Sequence, residues 1–306
     1  MPPVLRLYRL LMLLALLALL ALLAPGARAD IILLASDDKG AVAAATAALQ
    51  SAYAGKVELH NLAGGRGRES AIVQAIRSSA TMQVVAVGLL AAQVARQRLD
   101  GKQVVFCQVL NVEEFKLVAP WMKGVSGIPS LDRQFAAWKA LDPNLRKVGV
   151  ITGQHAGYML SEAQAAAKPL GIEIEHVAVS SERAVLSALQ ELRERRIGGL
   201  WLAPDSSILS QRAILDLMAS TVRHKLPVLA FSPALLKEGA LLSATADTGE
   251  IAAMALERLR KAGPPGALAG EPLAPLAGAN ITVSATAAAR FGLAISARVK
   301  EQADVQ

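Results

Sequence analysis

Cysteine is almost missing from this chain of 306 residues: Cys107 is the only one. One thiol forms no internal disulfide, so the fold must rest on its own core even in an oxidising compartment. Cys107 stands inside Val104-Val105-Phe106-Cys107-Gln108-Val109, an apolar run that reads as a strand, so it reads as a small buried hydrophobe and not as a nucleophile. Aromatic residues are also scarce, at 4%, and the 32 Lys and Arg are scattered among 25 acids. That argues against nucleic acid as a partner. His60, His155, His176 and His224 fall in no metal-ligand spacing, so no metal or other cofactor is expected. The chain has no Gly-x-Ser-x-Gly elbow, no Walker A loop and no pair of carboxylates placed for acid–base work. Gly64-Gly65-Arg66-Gly67-Arg68 follows the second strand, with Ser70 where a dinucleotide loop has its third glycine, and reads as a flexible turn with two solvated arginines. These absences favour a binder over an enzyme.

Long apolar runs are missing too, except at the start. Arg6 and Arg9 precede the uncharged stretch Leu10 to Ala24, and Ala27-Arg28-Ala29 is a small-x-small cleavage site. The run of 15 residues is shorter than the ~20 a spanning helix needs. Residues 1–29 are therefore read as a cleaved signal peptide, with Asp30 the mature N-terminus and the periplasm the destination. No cysteine lies near that site for lipid attachment. The formal charge of +7 loses Arg6, Arg9 and Arg28 with the leader, leaving about +4.

What is present is an alternation of strand and helix. Asp30–Ala35 is a continuous apolar run, the mark of a strand buried on both faces. Further strands are expected at 57–62, 83–87 and 103–110, separated by helices at 41–52, 69–78 and 89–97. After Trp121 the pattern restarts: helices at 131–141, 158–169, 182–196 and 207–223 alternate with strands at 147–153, 172–179, 199–203 and 227–231. Strands at 241–246 and 279–283, helices at 250–262 and 285–291, and a Pro/Gly-rich stretch opening at Gly263 complete it. The expected fold class is α/β, with two Rossmann-like lobes of parallel sheet joined by a hinge. Residues 30–121 with about 243–270 are assigned to the first lobe, and 122–242 with about 271–306 to the second. Ligands of open α/β sheets bind beyond the carboxyl ends of the strands, so both sets of ends should face one cleft.

Several segments resemble the ABC-transporter substrate-binding family of type I periplasmic-binding-protein fold, the group described as tryptophan or tyrosine transport components. Val85-Ala86-Val87-Gly88 running into Ala91-Ala92-Gln93 is similar to its valine-rich strand and following Gly-Thr-Pro-Ala-Ala-Gln. Val104-Val105-Phe106, Gly124-Val125-Ser126, Lys147–Ile151, Ala203-Pro204-Asp205-Ser206, Pro227–Ser232 and Gly239-Ala240-Leu241 resemble further segments in the same order. The resemblance implies an exported receptor for an ABC importer, working as a monomer with a permease in the inner membrane. It departs where Leu89-Leu90 replaces Thr-Pro, Asn111-Val112 replaces Asp-Pro and Thr248 replaces a Tyr. Polar groups are lost at these positions, so the expected solute is amino-acid-like or more apolar, held in the cleft between the lobes.

Candidate ligand contacts lie at the expected strand ends. In the first lobe these are Ser36, Asp37, Gly88 and Asn111. In the second they are Gln154, His155, Tyr158, Asp205, Ser206, Phe231 and Ser232, with Asp247 at the crossing between lobes. Asp205, Ser206 and Asp247 are equally suited to capping helices. Two alternatives to a solute receptor stay open: a ligand-sensing subunit for a membrane signalling partner, and an α/β enzyme.

Overall fold

The computed structural model describes residues 29–261 and 267–306. The expected leader up to Arg28 and the Gly263–Gly266 stretch lie outside the described residues.

The first lobe runs β1 (Ile31–Ala35), α1 (Gly40–Ala52), β2 (Val57–Asn61), α2 (Glu69–Ser78), β3 (Gln83–Val87), α3 (Leu89–Arg98), β4 (Gln103–Cys107) and β5 (Met122–Val125). The second runs α4 (Leu131–Leu141), β6 (Lys147–Thr152), α5 (Gly157–Ala167), β7 (Glu173–Ala178), α6 (Val185–Glu194), β8 (Gly199–Trp201), α7 (Gln211–Arg223), β9 (Val228–Ala230) and β10 (Leu242–Thr245). The chain returns with α8 (Thr248–Arg260) and β11 (Leu273–Ala274), then ends with β12 (Asn280–Val283), α9 (Ala285–Arg290), α10 (Ala297–Lys300) and β13 (Asp304–Val305).

Six strands form the first sheet in the order β11-β5-β4-β3-β1-β2, every pairing parallel. Its central strands β1, β3 and β4 are almost wholly apolar because both faces are covered. Ile32, Leu34, Val84 and Phe106 face α2 and α3, while Ile31, Leu33, Val85 and Val105 face α1 and α8. The second sheet orders β13-β12-β10-β9-β8-β6-β7 and is parallel except where β12 runs antiparallel to β10. Val148, Val150 and Trp201 share one core with Phe135 and Trp138 of α4, and Leu200 and Val228 share the other with Leu189 of α6 and Leu217 of α7. Trp201 and Phe135 meet edge to face, 5.7 Å between centroids, so Trp201 is a core residue. Gly199 lets that layer close: a Cβ there would lie 2.3 Å from the Trp138 ring.

The sheets redraw the expected lobe limits. Met122–Val125 pairs with β4 and extends the first sheet, so the chain crosses after Val125 and not at Trp121. Leu242–Thr245 belongs to the second sheet and Leu273–Ala274 to the first, the reverse of the assignment from sequence. β5 and β11 are short and give little periodic signal. The chain crosses between lobes near residues 126–130, 246–247 and 275–279. These crossings are tied together: Ser130 N–H donates to the Gly278 carbonyl at 2.9 Å, and the Glu250 carboxylate accepts from Ala277 N at 2.6 Å and Gly278 N at 3.1 Å.

Candidate ligand cleft between the lobes

Four strands deliver their carboxyl ends to one place. β4 ends at Cys107, earlier than the apolar run suggests, because Gln108 turns left-handed at φ 56° and throws the chain into a loop. Asn111 and Lys116 in that loop are also left-handed, at φ 56° and 48°. β5 runs into Ser126-Gly127-Ile128, β6 into the loop before α5, and β8 into Pro204-Asp205. Together they enclose a cavity of about 490 Å³. That is within the range of small-molecule sites. Val109, Leu110, Val112 and Leu117 wall it from the first lobe, Ile128 from the crossing and Met159 from the second lobe.

Asp205 organises the polar side. Its Oδ2 accepts from Gly153 N at 2.7 Å, and its Oδ1 accepts from Ser207 N at 3.0 Å, Ser207 Oγ at 2.5 Å and Asn111 Nδ2 at 2.9 Å. Burial works to raise its pKa, but the bonds from Ser207 Oγ, Gly153, Asn111 and Ser207 N together outweigh it and hold the carboxyl below the usual carboxylate range. The bond from Asn111 spans the cleft. So does the bond from Tyr158 N to Glu113 Oε1, 3.1 Å, and Tyr158 Oη donates to the Leu273 carbonyl at 3.3 Å. The phenol's pKa is pushed up by burial and then by Glu162 and Glu271.

Of the residues singled out from sequence, Asn111, His155, Tyr158 and Asp205 line this cavity. The others do not. Ser36 is buried and its Oγ accepts from Ala91 N at 2.9 Å, closing the N-terminal turn of α3 from a neighbouring strand end. Gly88 sits against it: at φ 89°, a Cβ would meet Ser36 Oγ at 2.6 Å. Its freedom thus serves internal packing. Asp37 is held in its own loop, accepting from Lys39 N. Gln154 and Ser206 are exposed away from the cavity. Phe231 packs on the core of the second lobe, Ser232 caps the turn Pro233–Leu236, and Asp247 caps α8 through Glu250 N at 2.9 Å. The expected helix start at Ser207 is also corrected: α7 begins at Gln211 with Ser210 as its cap, so Asp205 caps no helix and pins two loops instead. The sequence reading missed the walls, since apolar residues in a loop carry no periodicity.

Cys107 is fully buried, and burial pushes its thiol up to about 12, which leaves it inert beneath the site. Among the described residues no cluster of His, Cys, Asp or Glu could hold a metal ion.

Two lobes of parallel sheet around one apolar cavity define the type I periplasmic binding fold. The sequence profile of the ABC transporter substrate binding protein family matches residues 39–304, and the chain belongs to that family. It is a substrate-binding protein of ABC transporters. No curated protein matches it by sequence. Among solved structures it is similar to an ABC domain in complex with L-Trp from Streptococcus pneumonia, TM-score 0.61 and 19% identity over 90% of this chain and 100% of that one. It is also similar to the ligand-free, open form of a substrate binding protein with adhesive properties from Clostridium difficile, TM-score 0.64 and 15% identity over 90% and 98%. A conserved domain protein from Vibrio cholerae aligns with TM-score 0.61 and 17% identity over 91% and 99%. At these identities the likeness speaks for the fold.

Proposed function

We propose that this protein is the periplasmic solute receptor of an ABC importer, capturing a small molecule between its lobes and handing it to a permease in the inner membrane. The observation that carries this reading is the cavity of about 490 Å³ at the carboxyl ends of β4, β5, β6 and β8, bounded by both lobes. A ligand there touches both sheets at once, so its binding energy draws the lobes together, and hinged closure is what a permease recognises. The leader expected over residues 1–29 fits delivery to the periplasm, and no helix among the described residues is long and apolar enough to cross a membrane. The apolar walls favour a ligand with a hydrophobic body over a sugar or a strongly polar amino acid. The protein acts on the ligand by binding alone and as a monomer.

A thermal-shift screen of the exported protein against amino acids, organic acids and apolar solutes tests this. A ligand at 100 times its Kd adds ~2.7 kcal/mol to stability. For a chain of this size that is a rise in Tm of about 5 °C or more. Silence across the whole panel contradicts the receptor reading.

A further inference from the structure

Among the described residues, Arg96 is the cavity cation held in a fixed pose by ring and hydrogen-bond contacts. It lies near the end of α3 and is half-buried. Its guanidinium carbon stacks 5.7 Å from the centroid of the Trp121 ring, and its Nε donates to the Lys116 carbonyl at 3.2 Å. Both contacts restrain the plane of the group, and among the described residues neither Nη has a hydrogen-bond partner. Lys116 lines the same wall, and its ammonium also has no acidic partner among the described residues. The acids on the cavity hold neutral donors. Asp205 takes four donors and Glu113 takes the Tyr158 N–H. Glu114, next in the loop, accepts from Asn111 Nδ2 at 3.1 Å. Two cations, Arg96 and Lys116, and two acids, Glu113 and Asp205, line the cavity, so its formal charges balance, and Arg96 is set apart by a restrained guanidinium whose Nη groups have no partner among the described residues.

From this we infer that the ligand is an organic acid with an apolar body, its carboxylate on the Arg96 guanidinium and its body among Val109, Val112, Leu117, Ile128 and Met159. A planar fork held by stacking suits a carboxylate, and its pre-set geometry lowers the entropy lost on binding. Asp205 is committed to four donors, so an α-ammonium competes for Glu113, whose Oε1 already holds the Tyr158 N–H across the cleft, and gains less there than a carboxylate gains on Arg96. The inference rests on the reading of this cavity as the solute site, and names Arg96 as the residue that selects the ligand's charge.

The test is calorimetric titration of the exported protein with 3-phenylpropionate, 3-phenylpropanol and phenylalanine, repeated with octanoate, octanol and 2-aminooctanoate. In the wild type the acid of at least one series binds about tenfold or more tighter than its alcohol, the scale of one charge-assisted contact, and tighter than its amino acid. Arg96→Gln brings acid and alcohol to about the same affinity and leaves the alcohol unchanged, which also reports an intact cavity. Arg96→Lys keeps part of the preference for the acid, because it keeps the charge and loses the fork. An alcohol or amino acid that binds as tightly as its acid, or an acid preference that Arg96→Gln leaves intact, overturns the carboxylate assignment while the receptor reading stands. Failure of all six compounds to bind overturns both.

Discussion

At the scale of single residues, Asp205 decides how the cleft is built. Every group that reaches its carboxylate is a donor: two backbone N–H groups, one hydroxyl and one amide. Asp205→Asn sets an NH2 among those donors, and Asp205→Ala leaves them buried and unpaired. Either change costs about 2–3 kcal/mol, read as a lower urea midpoint. The pH dependence has a fixed sign. Because the folded-state pKa lies below its unfolded value, the stabilising contribution is full above the unfolded pKa and is lost as pH falls through the folded one. The gap in stability between wild type and Asp205→Asn should therefore narrow from about pH 4 downward, where an unfolded Asp takes its proton. A gap independent of pH contradicts the assignment. Asn111 is the other half of this contact, and its left-handed backbone aims the amide across the cleft.

At the scale of elements, strand ends and helix starts are matched to each other before any ligand arrives. Ser36, after β1, serves α3, which follows β3; Gly88 makes the close approach possible. Gly88→Ala demands φ 89° of an alanine and drives its Cβ to 2.6 Å from Ser36 Oγ and 2.9 Å from Val42 Cγ2. The cost is about 1–3 kcal/mol of backbone strain, before any steric relaxation. Urea unfolding should show a lower midpoint at an unchanged m-value; an unchanged midpoint contradicts the packing described. The central strands of both sheets were legible in the sequence because they are buried on two faces and so are continuously apolar, as in Ile31–Ala35 and Val104–Cys107. β5, β11 and β13 were not legible: they are short pieces at or beside sheet edges, held by a neighbour and not by their own pattern. The turn at Gln108 was hidden for a different reason, since Val109 and Leu110 continue the apolar run but face the cavity and not the sheet.

For the whole molecule, two sheets are joined by three short crossings and bridged across the cleft by the bonds from Asn111 to Asp205 and from Tyr158 to Glu113. The rule that ligands bind at the carboxyl ends of parallel strands led to Asn111, His155, Tyr158 and Asp205 from sequence alone. It led equally to Ser36, Asp37, Phe231 and Ser232, which lie at strand ends that turn to internal packing or capping. Strand order distinguishes the two groups, and strand order is a property of the assembled sheet. The central claim is that a small ligand occupies the chamber between the lobes. Met159→Trp tests it most directly, because Met159 lines that chamber from the first turns of α5, at the edge of the second lobe's core, and a larger ring there takes up chamber volume. The predicted result is a variant that melts within a few degrees of the wild type and shows no thermal shift with any ligand that stabilises the wild type. An equal shift in both proteins would place the ligand elsewhere and contradict the account.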